Sequence, residues 1–225
     1  VQQAPALPIV LERMPATIEL AFYAMLLSVV LAVPVGVICA VRRGRLVDRL
    51  SMLVTLTGQS MPTFWLGIMM VLIFAVRLGV LPTSGRGTPA HLVLPVITLA
   101  AYYLAMIARL TRSGLLEVLG LDYIRTARAK GLPERVVIYH HALKNSLIPL
   151  VTMVGLQFGR LLGGAVITES VFEWPGVGKL IVLAINQRDY PVVQSAVFML
   201  AMVFVAVNML TDVLYGYLDP RIRLK

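Results

Sequence analysis

Five runs of this chain are each apolar enough, and long enough, to cross a bilayer, which takes about 20 residues at about 1.5 Å of rise per residue. They cover roughly 18–41, 53–76, 92–110, 147–167 and 193–215. The runs are continuous and lack period-2 alternation, so they predict membrane helices and exclude a β-barrel. Pro34 and Pro62 fall inside the first two runs. Proline is tolerated in membrane helices where neighbours satisfy the freed carbonyl, so both predict kinks, not breaks. Composition agrees: 59% of residues are hydrophobic, 14% are charged and mean hydropathy is +0.86, whereas soluble domains carry about 25% charge. This excludes a disordered chain, a nucleic-acid-binding tail and an ordinary cytosolic enzyme. The fold class expected is all-α and integral to the membrane.

The basic excess, 20 Lys and Arg against 11 Asp and Glu, orients the spans. Arg42, Arg43, Arg45 and Arg49 follow the first span. Arg109, Arg112, Arg125, Arg128, Lys130, Arg135 and Lys144 follow the third, and Arg221, Arg223 and Lys225 end the chain. The alternate connections carry only Arg77, Arg86, Lys179 and Arg188, with Arg13 ahead of the first span. The richer side is cytoplasmic, which puts the visible N-terminus outside and the C-terminus inside. Residues 1–15 form a polar, proline-broken lead-in without a signal peptide. An outside N-terminus without a signal predicts one further span upstream, six in all. A single cysteine, Cys39, excludes an internal disulfide and a cysteine-based zinc site, and its apolar setting makes it a packing residue.

The stretch 117–145, EVLGLDYIRTARAKGLPERVVIYHHALKN, is charged, about 29 residues long and on the cytoplasmic side; typical connections between helices take about 2–8 residues. Asp122 to Lys130 reads as a short basic helix. Gly131 stands where a helix end wants a left-handed residue. Pro133 suits the first turn of a second helix, with Glu134 near its positive end. Such an elbow is either a docking surface for a partner or a basic amphipathic helix resting on anionic lipid, and on physical grounds alone the two stand level.

The run DYIRTARAKGL, followed by HALKNSLIPLVT, closely resembles the cytoplasmic loop of binding-protein-dependent ABC importer permeases. TESVFEWPGVGKL, AINQRDYPVVQ and the ending LYGYLDPRIR narrow the resemblance to the first permease subunit of the dipeptide, oligopeptide and nickel branch. It extends from ERMPATIEL to DPRIR. The broad importer signature has Glu-Ala-Ala ahead of the loop glycine; here Arg125, Thr126 and Ala127 take those places, as in the peptide-type branch. The resemblance implies a type I ABC importer transmembrane domain over 16–216, with a coupling loop at 112–144, an extracytoplasmic scoop at 168–191 and a cytoplasmic tail at 217–225. It implies that Arg125, Thr126, Ala127, Arg128, Ala129, Lys130, Gly131 and Leu132 enter a cleft of a separate ATPase. It further implies a homologous second permease, two ATPase domains that bind ATP and Mg, and an extracytoplasmic substrate-binding protein. This chain itself would bind no cofactor and no nucleic acid, and lipid surrounds it.

Other candidate sites are weaker. Gly178-Lys179 lacks the upstream glycine and the following Ser or Thr of a phosphate loop, with Glu173 and Leu180 in those places. Adjacent His140 and His141 diverge on a helix and chelate poorly; with His91 isolated, no metal site is expected. Polar residues inside spans have a functional default: Ser60 and Gln59 in the second, Gln157 and Arg160 in the fourth, Asn208 and Asp212 in the fifth. Gln157 and Arg160 share a face with Gly164 and Thr168, which either lines a pathway with Ser60 or serves an Arg160 ion pair to Glu169 or to the partner permease. Gly155, Gly159 and Gly163 follow small-residue spacing for close helix packing, here or at a subunit interface. Trp174-Pro175-Gly176 predicts a turn and 180–185 a short apolar helix, together a re-entrant or surface-lying element at the outer mouth.

The expected function is that of an importer permease moving peptides or related small solutes across the bacterial inner membrane, coupled to a partner ATPase. The rival is a channel or secondary transporter not powered by ATP, which would want internal repeats and intramembrane carboxylates. A membrane enzyme is disfavoured by the lack of a catalytic motif. Dipeptides, oligopeptides, nickel complexes, glutathione and opines all stand open as substrates.

Overall fold

A computed structural model describes residues 5–218 as helices joined by turns and short loops, with no strand among them. The first helix, α1 (Ala6–Val41), runs through Pro15 and Pro34 without a break; at about 1.5 Å per residue it is about 54 Å long. There follow α2 (Leu46–Ser60), then α3 (Thr63–Met70) with a π-helical continuation over Val71–Arg77, and α4 (Ala90–Leu119). The charged stretch 117–145 forms α5 (Asp122–Ala129) and α6 (Glu134–Val136). The latter continues through π-helical Val137–Leu143 into α7 (Lys144–Gly164). The remainder is α8 (Val166–Val171), α9 (Val177–Asn186) and α10 (Tyr190–Leu218). Three helices, α1, α4 and α10, are long and apolar enough to cross a membrane, and up to five spans result if two bent helix pairs each count as one. The expected tail lies outside the described residues from 219 onward, as do residues 1–4 of the lead-in.

The second expected span differs from its prediction. Its two halves, α2 and α3, meet at 100°, a break and not a kink. Met61, ahead of Pro62, is extended at φ −77° and ψ 130°, the region that the proline ring imposes on its predecessor. Packing explains why Pro34 behaves otherwise. Around it α1 buries Ala32, Gly36 and Val37, whereas α2 buries only Asp48 and Thr55, and α3 only Gly67. Little holds the second pair collinear.

The core lies between α1 and α4. Leu20, Ala21, Ala24 and Ala32 of α1 meet Val96, Leu99, Ile107 and Ala108 of α4, with Leu161 and Leu162 of α7 and Trp174 closing the cluster. Small residues bring the two long helices together. The tightest point is Gly36, where a Cβ would lie 2.6 Å from Thr111 Cβ and 2.7 Å from the Ala108 carbonyl oxygen. Since backbone cannot yield there, Gly36→Ala is expected to cost about 1–3 kcal/mol, read as a lower thermal unfolding midpoint of the purified protein. At one end of the crossing, Asp48 takes a bidentate ion pair from Arg112 (2.7 and 2.8 Å) and a hydrogen bond from the Gly44 amide (2.9 Å), tying α2 to α4.

Candidate functional site

The helical elbow is built from a small buried anchor and an exposed basic face. In α5 only Ile124 and Ala127 are buried. They are three residues apart and so share a face. They pack with Val37 and Ala40 of α1, Leu115 of α4, and Val137, Ile138 and Ala142 beyond the elbow. Arg125, Thr126, Arg128, Ala129, Lys130, Gly131 and Leu132 are all exposed. The helix ends as its glycine requires. Gly131 has φ +75°, its amide donates to the Arg128 carbonyl (2.9 Å), and the Leu132 amide donates to the Ala127 carbonyl (3.4 Å). These two bonds are a Schellman cap. A Cβ on Gly131 would meet nothing within 4 Å, so its backbone angle is what demands glycine.

Two polar contacts stiffen the elbow. Arg128 grips Glu134 through Nε (3.2 Å) and Nη2 (2.7 Å) across the turn. This lowers the Glu134 carboxyl below its ordinary value and raises the Arg128 guanidinium. Both side chains are about half exposed, and exposed pairs contribute about 0–1 kcal/mol, so geometry more than stability follows from this pair. Asn145 Nδ2 donates to the Tyr123 hydroxyl (2.9 Å) and the His141 carbonyl (3.0 Å), joining α5 to the start of α7. The His140 and His141 rings lie edge to face, 5.2 Å apart, and no group of three metal-ligating residues occurs among the described residues.

The α8–α9 segment is fixed at the other end of α1. Glu169 is fully buried. Its Oε1 accepts from the Thr17 hydroxyl (2.7 Å) and its Oε2 from the Lys179 amide (3.0 Å), with the Gly178 amide also bonded to it. The Val177 amide donates to Thr17 Oγ1 (2.8 Å), and Trp174 Nε1 donates to the Ala16 carbonyl (2.8 Å). The first amides of α9 are therefore capped by side chains from α1 and α8, satisfying donors that no helix satisfies itself. Burial pushes the Glu169 carboxyl above its ordinary value, against the pull of the three hydrogen bonds. Sequence reasoning offered Glu169 only as a partner for Arg160 and missed Thr17. The one available signal was an acid shortly before the start of a short helix, at Gly176-Val177.

The remaining sequence-predicted residues divide. Gln157 is buried and donates to Met106 Sδ (2.7 Å); Arg160, one turn on, is exposed and reaches Gln157 Oε1 at 3.5 Å. Ser60 is exposed and bonds its own helix at the Leu56 carbonyl (2.9 Å), away from that pair. Gly155 and Gly159 face α10: a Cβ on Gly155 would lie 2.3 Å from Thr211, and one on Gly159 3.0 Å from Phe204. Gly163 faces open space.

Ala16 and Val37, which anchor the two polar ends, lie about 32 Å apart along α1, close to the roughly 30 Å of bilayer hydrocarbon. The fold is thus an apolar helical bundle with a basic helical elbow at one end and the side-chain-capped α8–α9 segment at the other, as in an integral membrane protein. The chain belongs to the family of binding-protein-dependent transport system inner membrane components, matched over residues 32–224, and is an ABC importer permease. It is 47% identical to the dipeptide transport system permease protein DppB of Alkalihalophilus pseudofirmus, over 96% of this chain and 74% of that one. It is 44% identical to the glutathione transport system permease protein GsiC of Escherichia coli K12, over 100% of this chain and 74% of that one. Among solved structures, an inward-facing MetNI methionine ABC transporter shares its fold, with a TM-score of 0.81 at 20% identity over 97% of this chain and 100% of that one. The chain thus has the transmembrane-domain fold of a type I importer.

Proposed function

We propose that this permease passes peptides or related small solutes through a pathway it shares with a homologous second permease, driven by ATP hydrolysis on partner ATPase domains. An extracytoplasmic binding protein delivers the substrate. The peptide assignment draws on the dipeptide and glutathione names of the relatives. The observation that carries the coupling role is the elbow. Ile124 and Ala127 anchor a short stiff helix on α1 and α4, while its basic residues stay exposed for a partner's acidic groups. A push on α5 would travel through that anchor into the two helices that form the core. In this reading the elbow faces the cytoplasm, the α8–α9 segment faces outward, and residues 125–132 enter the ATPase cleft. ATP and Mg belong to the partners, so this chain performs no hydrolysis itself.

The test is reconstitution of the complete importer in vesicles with its binding protein, followed by uptake of radiolabelled dipeptide and glutathione with and without ATP. Uptake that ignores ATP would establish a channel or secondary transporter instead. In the same assembly, Arg128→Glu breaks the clasp to Glu134 and reverses a charge on the exposed face. ATPase co-purification is expected to fall, and to fall further at low salt, where the Debye length is longer.

A further inference from the structure

At the α8–α9 end of the bundle lies a cavity of about 800 Å³, with Glu19, Tyr23, Arg86, Thr88, Leu92 and Trp174 among its lining residues. Its size suits a small-molecule site, which takes about 300–1,000 Å³. One wall carries a charged pair. Glu19 stands on α1 near the outer limit of an apolar span, and its Oε2 accepts from Arg86 Nη2. The Arg86 guanidinium also lies 5.6 Å from the centre of the Trp174 ring, whose indole is fixed to Ala16. Arg86 is held in place by its loop: the Gly85 amide donates to the Phe172 carbonyl (2.9 Å), and Thr88 bonds His91 Nδ1 through its hydroxyl (2.9 Å). The lining also includes an apolar part, from Leu92, Val93 and Val96.

A carboxylate at the edge of an apolar span is costly and has a functional default. Here it stands beside a guanidinium, so the pocket offers one cationic and one anionic group to the same ligand. An anion alone would take Arg86 and strand Glu19; a cation alone would do the reverse. A zwitterion satisfies both, its carboxylate on the Arg86 fork and its ammonium on Glu19, while its side chains rest on the apolar part of the lining. Both charged side chains retain solvent access, at 41% and 31%, so a ligand can reach the pair. We infer that this cavity is a binding site for the free amino and carboxyl termini of a zwitterionic peptide, with Arg86 and Glu19 as its specificity-determining residues. The inference rests on the peptide reading above and adds where the permease itself senses its substrate.

The test uses the assembled importer in nanodiscs without its binding protein. Gly87→Cys places a thiol on the cavity wall, where a Cβ meets nothing within 4 Å, while native Cys39 is buried. Maleimide labelling of this chain is followed by mass. Dialanine is expected to protect the thiol saturably, and N-acetyl-dialanine or dialanine amide to require at least about tenfold more, the loss of one charge-assisted bond. Arg86→Gln and Glu19→Gln in the same background are expected to raise the protecting concentration of dialanine about tenfold, and Arg86→Lys less. Equal protection by dialanine and by N-acetyl-dialanine amide, blocked at both ends, or none by either, would overturn the inference, and that comparison needs neither charge variant to fold. Dipeptide uptake by the complete importer separates the two readings. Uptake with flat labelling overturns the cavity alone; protection by dialanine without uptake overturns the peptide reading alone.

Discussion

Glu169→Ala is expected to release the α8–α9 segment from α1 and to lower the thermal midpoint of the purified importer more than any surface substitution. The Thr17 hydroxyl and the Gly178 and Lys179 amides lose their acceptor at once, and a buried donor left unsatisfied costs about 1–3 kcal/mol. The Val177 amide keeps Thr17 Oγ1, so the cap is crippled but not abolished. Gly176→Ala reaches the same end by a steric route, because its Cβ would lie 2.3 Å from the Glu169 carboxyl. The double variant separates the two causes. With the carboxylate gone the new Cβ has room, so the combined cost should approach that of Glu169→Ala alone, far below additivity. A sum of the two single effects would mean that Gly176 is needed for something besides clearance. Protease sensitivity of residues 168–191 gives a second readout, expected to rise in both single variants.

The three unbroken apolar helices, α1, α4 and α10, were legible because membrane helices announce themselves by length and continuity alone. The elbow was legible too: Asp122, Gly131 and Pro133 mark a start, a left-handed stop and a restart, and α5 with its φ +75° glycine follows that reading. Pro62 was not legible. A proline permits a kink or a break, and what chooses between them is the packing of the flanking turns, which a local window does not contain. Thr17 and Glu169 are 152 residues apart, and Glu19 and Arg86 are 67 apart; neither pair has any spacing that joins it. The glycines show the same limit. Gly155, Gly159 and Gly163 share one spacing, yet the first two press on α10 and the third meets nothing within 4 Å.

Gly131→Val is expected to leave the importer inserted and assembled while abolishing most substrate-stimulated transport. The position has room for a side chain, so no clash arises. The cost is conformational: a β-branched residue at φ +75° is a genuine outlier, worth about 1–3 kcal/mol of backbone strain. The cheapest relief is to leave the left-handed region, which breaks the Schellman bonds to Ala127 and Arg128 and swings Glu134 away from Arg128. The bundle is not asked to change, because its core contacts at Leu20, Leu99 and Leu161 are remote from the elbow. The α5 anchor at Ile124 and Ala127 would remain, but the helix would meet its partner at another angle, and a stiff lever at the wrong angle transmits no closure. Uptake, ATPase stimulation by loaded binding protein and ATPase co-purification should be measured on the same preparation. Lost uptake with retained basal ATPase activity is the expected pattern. Normal uptake with normal stimulation would remove the elbow as the transmitting element. Gly131→Asn supplies the graded control, since asparagine tolerates the left-handed region better than valine does and should recover part of the activity.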